Sequence, residues 1–355
     1  MKHLPAAKPL YPLDGLRAGF FCGQRGHAAF TLIELLVAMT ITLILAGLLL
    51  SIVRVTLGIW QRTQDHLAST AQANLALDLL ERDLHSALFR ADGKIWLVVQ
   101  INNSASNLVN HGWLVPSGLI KPSSLESQRL GGIVSERIAP LISNARFGLS
   151  GAWLRFVSTN DEATGGLPVA VAYQIARRPV SGAVSSSNPA AVRYTLFRAA
   201  VSAASSFAVG TDVTAAGYGS AVVAPAASRT GATLTNPNST DALASNVVDF
   251  GLWLYVRDSN SNNLRRVFPA DSDNLTHASV GNENVADAHR FPAAVDVMIR
   301  ILTESGATLI SEIESPAAHV SRPPNYNSDA EWWWAVVEAH SRVYTRRIEI
   351  KAAGL

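Results

Sequence analysis

Residues 30–53 read FTLIELLVAMTITLILAGLLLSIV. From Leu35 to Val53 they hold 19 positions without a charge or a proline, enough for a helix to cross a hydrocarbon core of about 30 Å. Arg54 closes the run. In front of it stand Lys2, Lys8, Arg17 and Arg25 against Asp14 alone. Lysine and arginine gather on the cytoplasmic side of a span, so the N-terminus is predicted to stay in the cytoplasm while the bulk of the chain is exported. A cleaved secretory signal fits less well. The apolar run is longer than such signals carry, and no A-x-A site follows it.

Glu34 is the exception in this stretch. A carboxylate at the mouth of an apolar helix is costly to insert and calls for a partner. With its surroundings, FTLIELLVAM at residues 30–39, it resembles the processing and assembly motif of type IV prepilins and type II secretion pseudopilins. The resemblance implies that a membrane prepilin peptidase cuts between Ala29 and Phe30, and that the new amine of Phe30 is N-methylated. It also implies that Glu34 is the assembly carboxylate, neutralising the N-terminal amine of a neighbouring subunit. That family usually has glycine before the cut. Ala29 is small enough for the same pocket. The cytoplasmic leader, residues 1–29, is then removed together with Cys22, the chain's one cysteine. Phe20 and Phe21 in front of Cys22 do not fit a lipid-attachment site. The mature chain keeps 25 basic and 26 acidic residues and needs no oxidising compartment.

Beyond Arg54 the helical pattern continues. Leu57, Trp60, Gln64, Leu67, Ala71 and Leu75 recur at spacings of three and four, and Leu77, Leu80, Leu84 and Leu88 carry the stripe on with a shift of phase. Gln61, Arg62, Asp65, Asp78, Glu81, Arg82 and Asp83 fill the other faces. No proline occurs between Phe30 and Arg90, and Asp92-Gly93 supplies the stop. The expectation is one helix over residues 30–90, about 90 Å if straight: a transmembrane half and an amphipathic half whose stripe packs on a head. Gly47 and Gly58 are its soft points. Ser51 stands where many pilins have a proline.

Residues 91–355 read as sheet. Strands are predicted at 95–101, 153–157, 169–175, 192–198, 248–256, 295–301 and 343–351. Residues 201–245, rich in Ala, Ser, Gly and Thr, read as a mobile insertion, and 269–292 as a polar loop. The fold class is α+β and pilin-like: a long N-terminal membrane-spanning helix packed on a mainly antiparallel β-sheet head. AVRYTLFRA, NVVDFGLWLYVRD, and FPAAVDVMIRIL joined through a loop to SRVYTRRIEIKAAGL resemble, in that order, the head strands of the larger J-type minor pseudopilins. This implies a minor subunit that primes or caps a periplasmic pseudopilus in type II secretion. Its partners would be the prepilin peptidase, other minor and major pseudopilins met through the N-terminal helix, and inner-membrane lipid. A minor pilin of a type IV pilus, serving adhesion or DNA uptake, and a signal-anchored periplasmic protein are the alternatives.

A near-balanced charge argues against a nucleic-acid binder. No G-x-S-x-G, H-E-x-x-H or P-loop occurs, and His85, His340 and the other histidines are scattered. No enzyme activity and no cofactor are expected. Asp271 and Asp273, with Glu283 and Asp287 beyond, are weak candidates for calcium, but the EF-hand spacing is missing. Trp332, Trp333 and Trp334 are adjacent. Three neighbouring indoles are not expected to share one core, so at least one should be exposed, either capping an edge or contacting a partner.

Overall fold

The structure, a computed structural model, describes residues 31–101, 145–159, 165–179, 192–219, 234–258, 263–269, 275–282, 289–315, 320–350 and 353–354, with Leu108, Trp113, Lys121 and Ala286. It comprises two compact units, one ending at Trp60 and one starting at Gln61. Helix α1, Leu32–His85, contributes to both.

The first unit is the apolar part of α1. Its side chains, from Leu32 through Trp60, are almost all exposed, and it holds a stretch long and apolar enough to cross a membrane. Its hydroxyls bond back to the helix: Thr40 Oγ1 donates to the Val37 carbonyl at 2.8 Å and Thr42 Oγ1 to that of Ala38 at 2.7 Å. In hydrocarbon this local pairing spares them the cost of an unsatisfied polar group.

The second unit opens with the rest of α1. The helix stops at His85, five residues short of Arg90, because Ala87 bridges to Ser158 and Leu88–Phe89 leaves as a short strand, β1. Then follow β2 Ile95–Ile101, β3 Ala152–Ser158, β4 Val169–Pro179 and β5 Val192–Ala200. Helix α2 is Ala203–Val209. Next come β6 Ala242–Ser245, β7 Val247–Arg257, β8 Leu264–Phe268, β9 Thr276–Val280 and β10 Ala294–Leu302. Helices α3, Glu304–Ile313, and α4, Asp329–His340, lead into β11, Ser341–Glu349, and β12, Ala353–Gly354.

Two antiparallel sheets result, ordered β6-β5-β4-β3-β2-β9 and β11-β10-β7-β8, and β12 pairs parallel with β1. All seven predicted strands are present. The predicted polar loop at 269–292 instead carries β9, which closes the larger sheet by pairing with β2. The predicted loop between β10 and β11 holds α3 and α4, although the two strands do pair.

One core joins the sheets. Leu97, Val99, Leu154, Phe156, Val171 and Ile175 from the larger sheet meet Phe250, Leu252, Leu254, Val295, Val297 and Ile299 from the smaller, together with Ala73, Ala76, Leu77, Leu80 and Leu84 of α1. The two central strands of the smaller sheet, β7 and β10, are buried on both faces, which is why they read as almost unbroken apolar runs. On that sheet's second face the ring of Phe147 lies over Gly251, where an added Cβ would come within 2.2 Å of it, and meets Trp253 edge-on at 4.8 Å.

The predicted mobile insertion is, where described, part of this architecture. Ser202 caps α2. The Ala170 amide donates to Ser206 Oγ at 3.0 Å, and the Val213 amide to the Ile95 carbonyl at 3.0 Å. Tyr218 and Leu234 pack with Ala170, Ala172, Ala199 and Val201 on the outer face of the larger sheet. That face is lined by alanines, so small residues suffice to cover it. Composition alone therefore misread residues 201–219 and 234–245.

Candidate assembly site

At the start of α1, Thr31 and Glu34 cap the helix reciprocally. The Thr31 amide and hydroxyl both donate to Glu34 Oε2 at 3.0 Å, and the Glu34 amide donates to Thr31 Oγ1 at 3.3 Å. This Thr-x-x-Glu arrangement satisfies amides that the first turn leaves without intrahelical partners. It uses only atoms of Thr31 and Glu34, so a cut before Phe30 leaves it intact. The other carboxylate oxygen, Oε1, has no hydrogen bond among the described residues and faces outward on an exposed side chain. Glu34 thus does two things that the sequence did not separate: one oxygen ends the helix, and the other is free to accept from a cation. Ala29 and Phe30 lie outside the described residues.

The head-side half of α1 has two faces. Ser69, Ala73, Ala76, Leu77, Leu80, Asp83 and Leu84 are buried. Leu67 and Leu75, by contrast, are 60% and 58% exposed, and Gln64 and Ala71 are exposed with them. The expectation that the stripe through Leu67 and Leu75 packs on the head is therefore corrected. The phase shift between Leu75 and Leu77 is a step of about 200° around the helix. It separates an outward apolar ridge from the face that the head covers.

The covered face is fixed by polar contacts. Asp83, read from sequence as a surface residue, is fully buried. Arg198 of β5 holds it at 2.7 and 3.1 Å, the Tyr173 hydroxyl donates to it at 2.6 Å, and Ser158 Oγ donates to its carbonyl at 3.0 Å. Burial and the adjacent carboxylate push the Tyr173 hydroxyl well above its ordinary pKa, so it stays a donor. Arg346 of β11 reaches Asp78 at 2.5 Å and Glu81 at 2.8 Å. The Tyr344 hydroxyl lies 3.1 Å from Ser69 Oγ and 3.0 Å from Thr70 Oγ1. The arginine and tyrosine alternation of Val192–Arg198 was the one sequence signal for this set.

The tryptophans form a second buried set. In α4 all three are buried, Trp333 completely, so the expectation of an exposed indole is corrected, and none of them offers a surface to a partner. Successive helical side chains fan by about 100°, and here α4 is enclosed on all three sides. Trp333 donates to Glu314 Oε1 at 2.9 Å, beside the Tyr194 hydroxyl at 2.5 Å, while Arg177 Nε donates to Glu314 Oε2 at 2.6 Å. Trp334 stacks edge-on with Trp333 at 4.9 Å and lies under the Arg146 guanidinium at 4.7 Å. Lys121 sits over the Tyr194 and Trp333 rings and donates to the Val248 carbonyl at 2.7 Å. Its burial lowers its pKa to about 8.

Among the described residues no three His, Cys, Asp or Glu side chains gather as a metal site. Asp271 and Asp273, with Glu283 and Asp287, lie outside them.

A family model described as the prokaryotic N-terminal methylation motif matches residues 24–50. The motif supports a type IV pilin-like protein, and its family is structural rather than enzymatic. It implies processing by prepilin peptidase and assembly with other pilins. With one helix among the described residues long and apolar enough to cross a membrane, it fits a single-pass membrane-anchored protein. No curated protein and no solved structure matches the chain.

Proposed function

We propose that the chain is a J-type minor pseudopilin of a type II secretion system. It inserts in the inner membrane with a cytoplasmic leader, is cut between Ala29 and Phe30, is methylated on Phe30, and carries its head in the periplasm. There it primes or caps the pseudopilus. It works by assembly, with no turnover and no cofactor. The observation that carries this is Glu34: a carboxylate at the mouth of an apolar helix, with Oε2 satisfied by Thr31 and Oε1 open to a neighbour's amine. In hydrocarbon such a charge is stable only when paired, so it sets the register of one subunit against the next. The order of the head strands supports the minor-subunit reading.

Glu34→Gln tests it. Glutamine can serve the same Thr-x-x-Glu/Gln cap, so the helix start survives while the charge is lost. The variant is expected to be cut and methylated at Phe30, as read by intact mass, yet to drop at least tenfold in co-purification with other pseudopilins. Undiminished co-purification would leave Glu34 a helix cap only. The motif equally fits a minor pilin of a type IV pilus. Deleting the gene separates the two: secreted proteins accumulate in the periplasm in one case, and surface pili are lost in the other.

A further inference from the structure

Arg54 ends the uncharged run, yet the apolar surface does not end with it. Val55, Leu57, Ile59 and Trp60 are 56–64% exposed. Thr56, two residues past the charge, turns its hydroxyl back to the Ile52 carbonyl at 2.9 Å, as Thr40 and Thr42 do within the span. Polar residues take over at Gln61, Arg62, Thr63, Gln64 and Asp65. The apolar band of the first unit therefore runs to Trp60 and encloses Arg54, which has no ion pair or hydrogen bond among the described residues.

Rise along the helix fixes the depths. Glu34 and Arg54 are 20 residues apart, about 30 Å, which is one hydrocarbon thickness. The Trp60 backbone lies about 9 Å further on, just past a headgroup layer of about 5–7 Å, which its indole can reach back into. With Glu34 at one hydrocarbon boundary, the Arg54 backbone falls at the other, from which its long side chain extends outward to the phosphates. A guanidinium matches a phosphate with two parallel hydrogen bonds, and an indole favours the interfacial layer above it.

We infer that Arg54 and Trp60 form a two-point lipid anchor, Arg54 binding a phospholipid phosphate of the far leaflet and Trp60 lying in its headgroup layer. The inference rests on the membrane-spanning reading of α1. The anchor fixes how deep the first unit sits in the bilayer. Val55, Leu57 and Ile59 are held in the interface by Arg54, which cannot follow them inward.

The test uses the mature full-length chain in phosphatidylcholine nanodiscs, with Cys22 replaced by serine in the precursor. Single cysteines at Leu50, Leu57, Ile59 or Gln64 carry spin labels, and depth is read from collision with oxygen against a water-soluble nickel chelate. Labels at 57 and 59 are expected at headgroup depth and the label at 64 in water. Arg54→Gln should let labels 57 and 59 sink by about 5 Å, one helical turn. In bilayers of a phosphate-free glycolipid, Arg54→Gln should change nothing. Labels 57 and 59 as water-exposed as label 64 would overturn the anchor. So would a shift that appears only at high protein-to-lipid ratio, which would assign Arg54 to a carboxylate of another subunit. A label at 50 that reads as water-exposed would instead sink the membrane-spanning reading itself.

Discussion

Asp83 shows how far one carboxylate can determine the docking of a helix. Its buried charge is tolerable because Arg198, Tyr173 and the surrounding polar groups replace the water it has lost. Removing the charge strands the mostly buried Arg198 guanidinium. Asp83→Asn should destabilise the head by about 3 kcal/mol, read as a lowered urea midpoint of the full chain in detergent. Asp83→Ala should cost at least as much, and an unchanged midpoint in both would mean the pair contributes nothing net. Glu314 plays the corresponding part for α4, taking three donors from Arg177, Tyr194 and Trp333. A tryptophan beside two others reads as a surface feature in a sequence. Its buried acceptor lies 19 positions away, and no local pattern reports that separation.

At the scale of elements, α1 carries an apolar ridge at Leu67, Ala71 and Leu75 that the head leaves bare. Under the assembly function proposed above, this ridge would meet a neighbour's helix, with small Ala71 allowing close approach. Leu67→Asp with Leu75→Asp should leave the unfolding free energy from urea titration within about 0.5 kcal/mol of the parent while reducing co-purification with other pilin-like subunits. A large loss of stability instead would show that the ridge packs within the chain. The strands were legible in the sequence because each is a long apolar or alternating run between turn residues; β7 and β10 match their expected spans to within a residue or two. The helices of the head were not. In α4 the indoles and Ala, Val and Ala give no clean 3.6-residue stripe, because the helix is enclosed on several sides. Strand β9 hid among Thr, His, Ala and Ser, since backbone pairing with β2, rather than apolar side chains, holds it. The N-terminal methylation motif was legible from FTLIEL at residues 30–35. The division of Glu34 between a cap and an open oxygen needed the geometry of Thr31.

For the whole molecule, the head carries its own pH limit. His277 of β9 is buried with Nε2 at 3.0 Å from Ser279 Oγ, and burial, assisted by the charge of nearby His289, lowers its pKa to about 4. In the unfolded chain the ring titrates near 6.5. Between these values the unfolded state holds the extra proton, so stability rises with pH through that window and is lost as pH falls from about 6.5 towards 4. The full effect is about 3 kcal/mol. His277→Gln should flatten the fall in urea midpoint between pH 7 and pH 5 relative to the parent; parallel curves would show that carboxylates alone set it. The ends of the head's chain also meet. β12 pairs with β1 just after α1, and β11 supplies Tyr344 and Arg346 to the covered face of that helix. The ribosome makes α1 well before these strands. During synthesis and export the leucine face of α1 therefore waits uncovered while more than 250 residues follow it. A head cut short before residue 341 lacks the strand that grips the helix, so the clamp on α1 closes only after synthesis has passed β11.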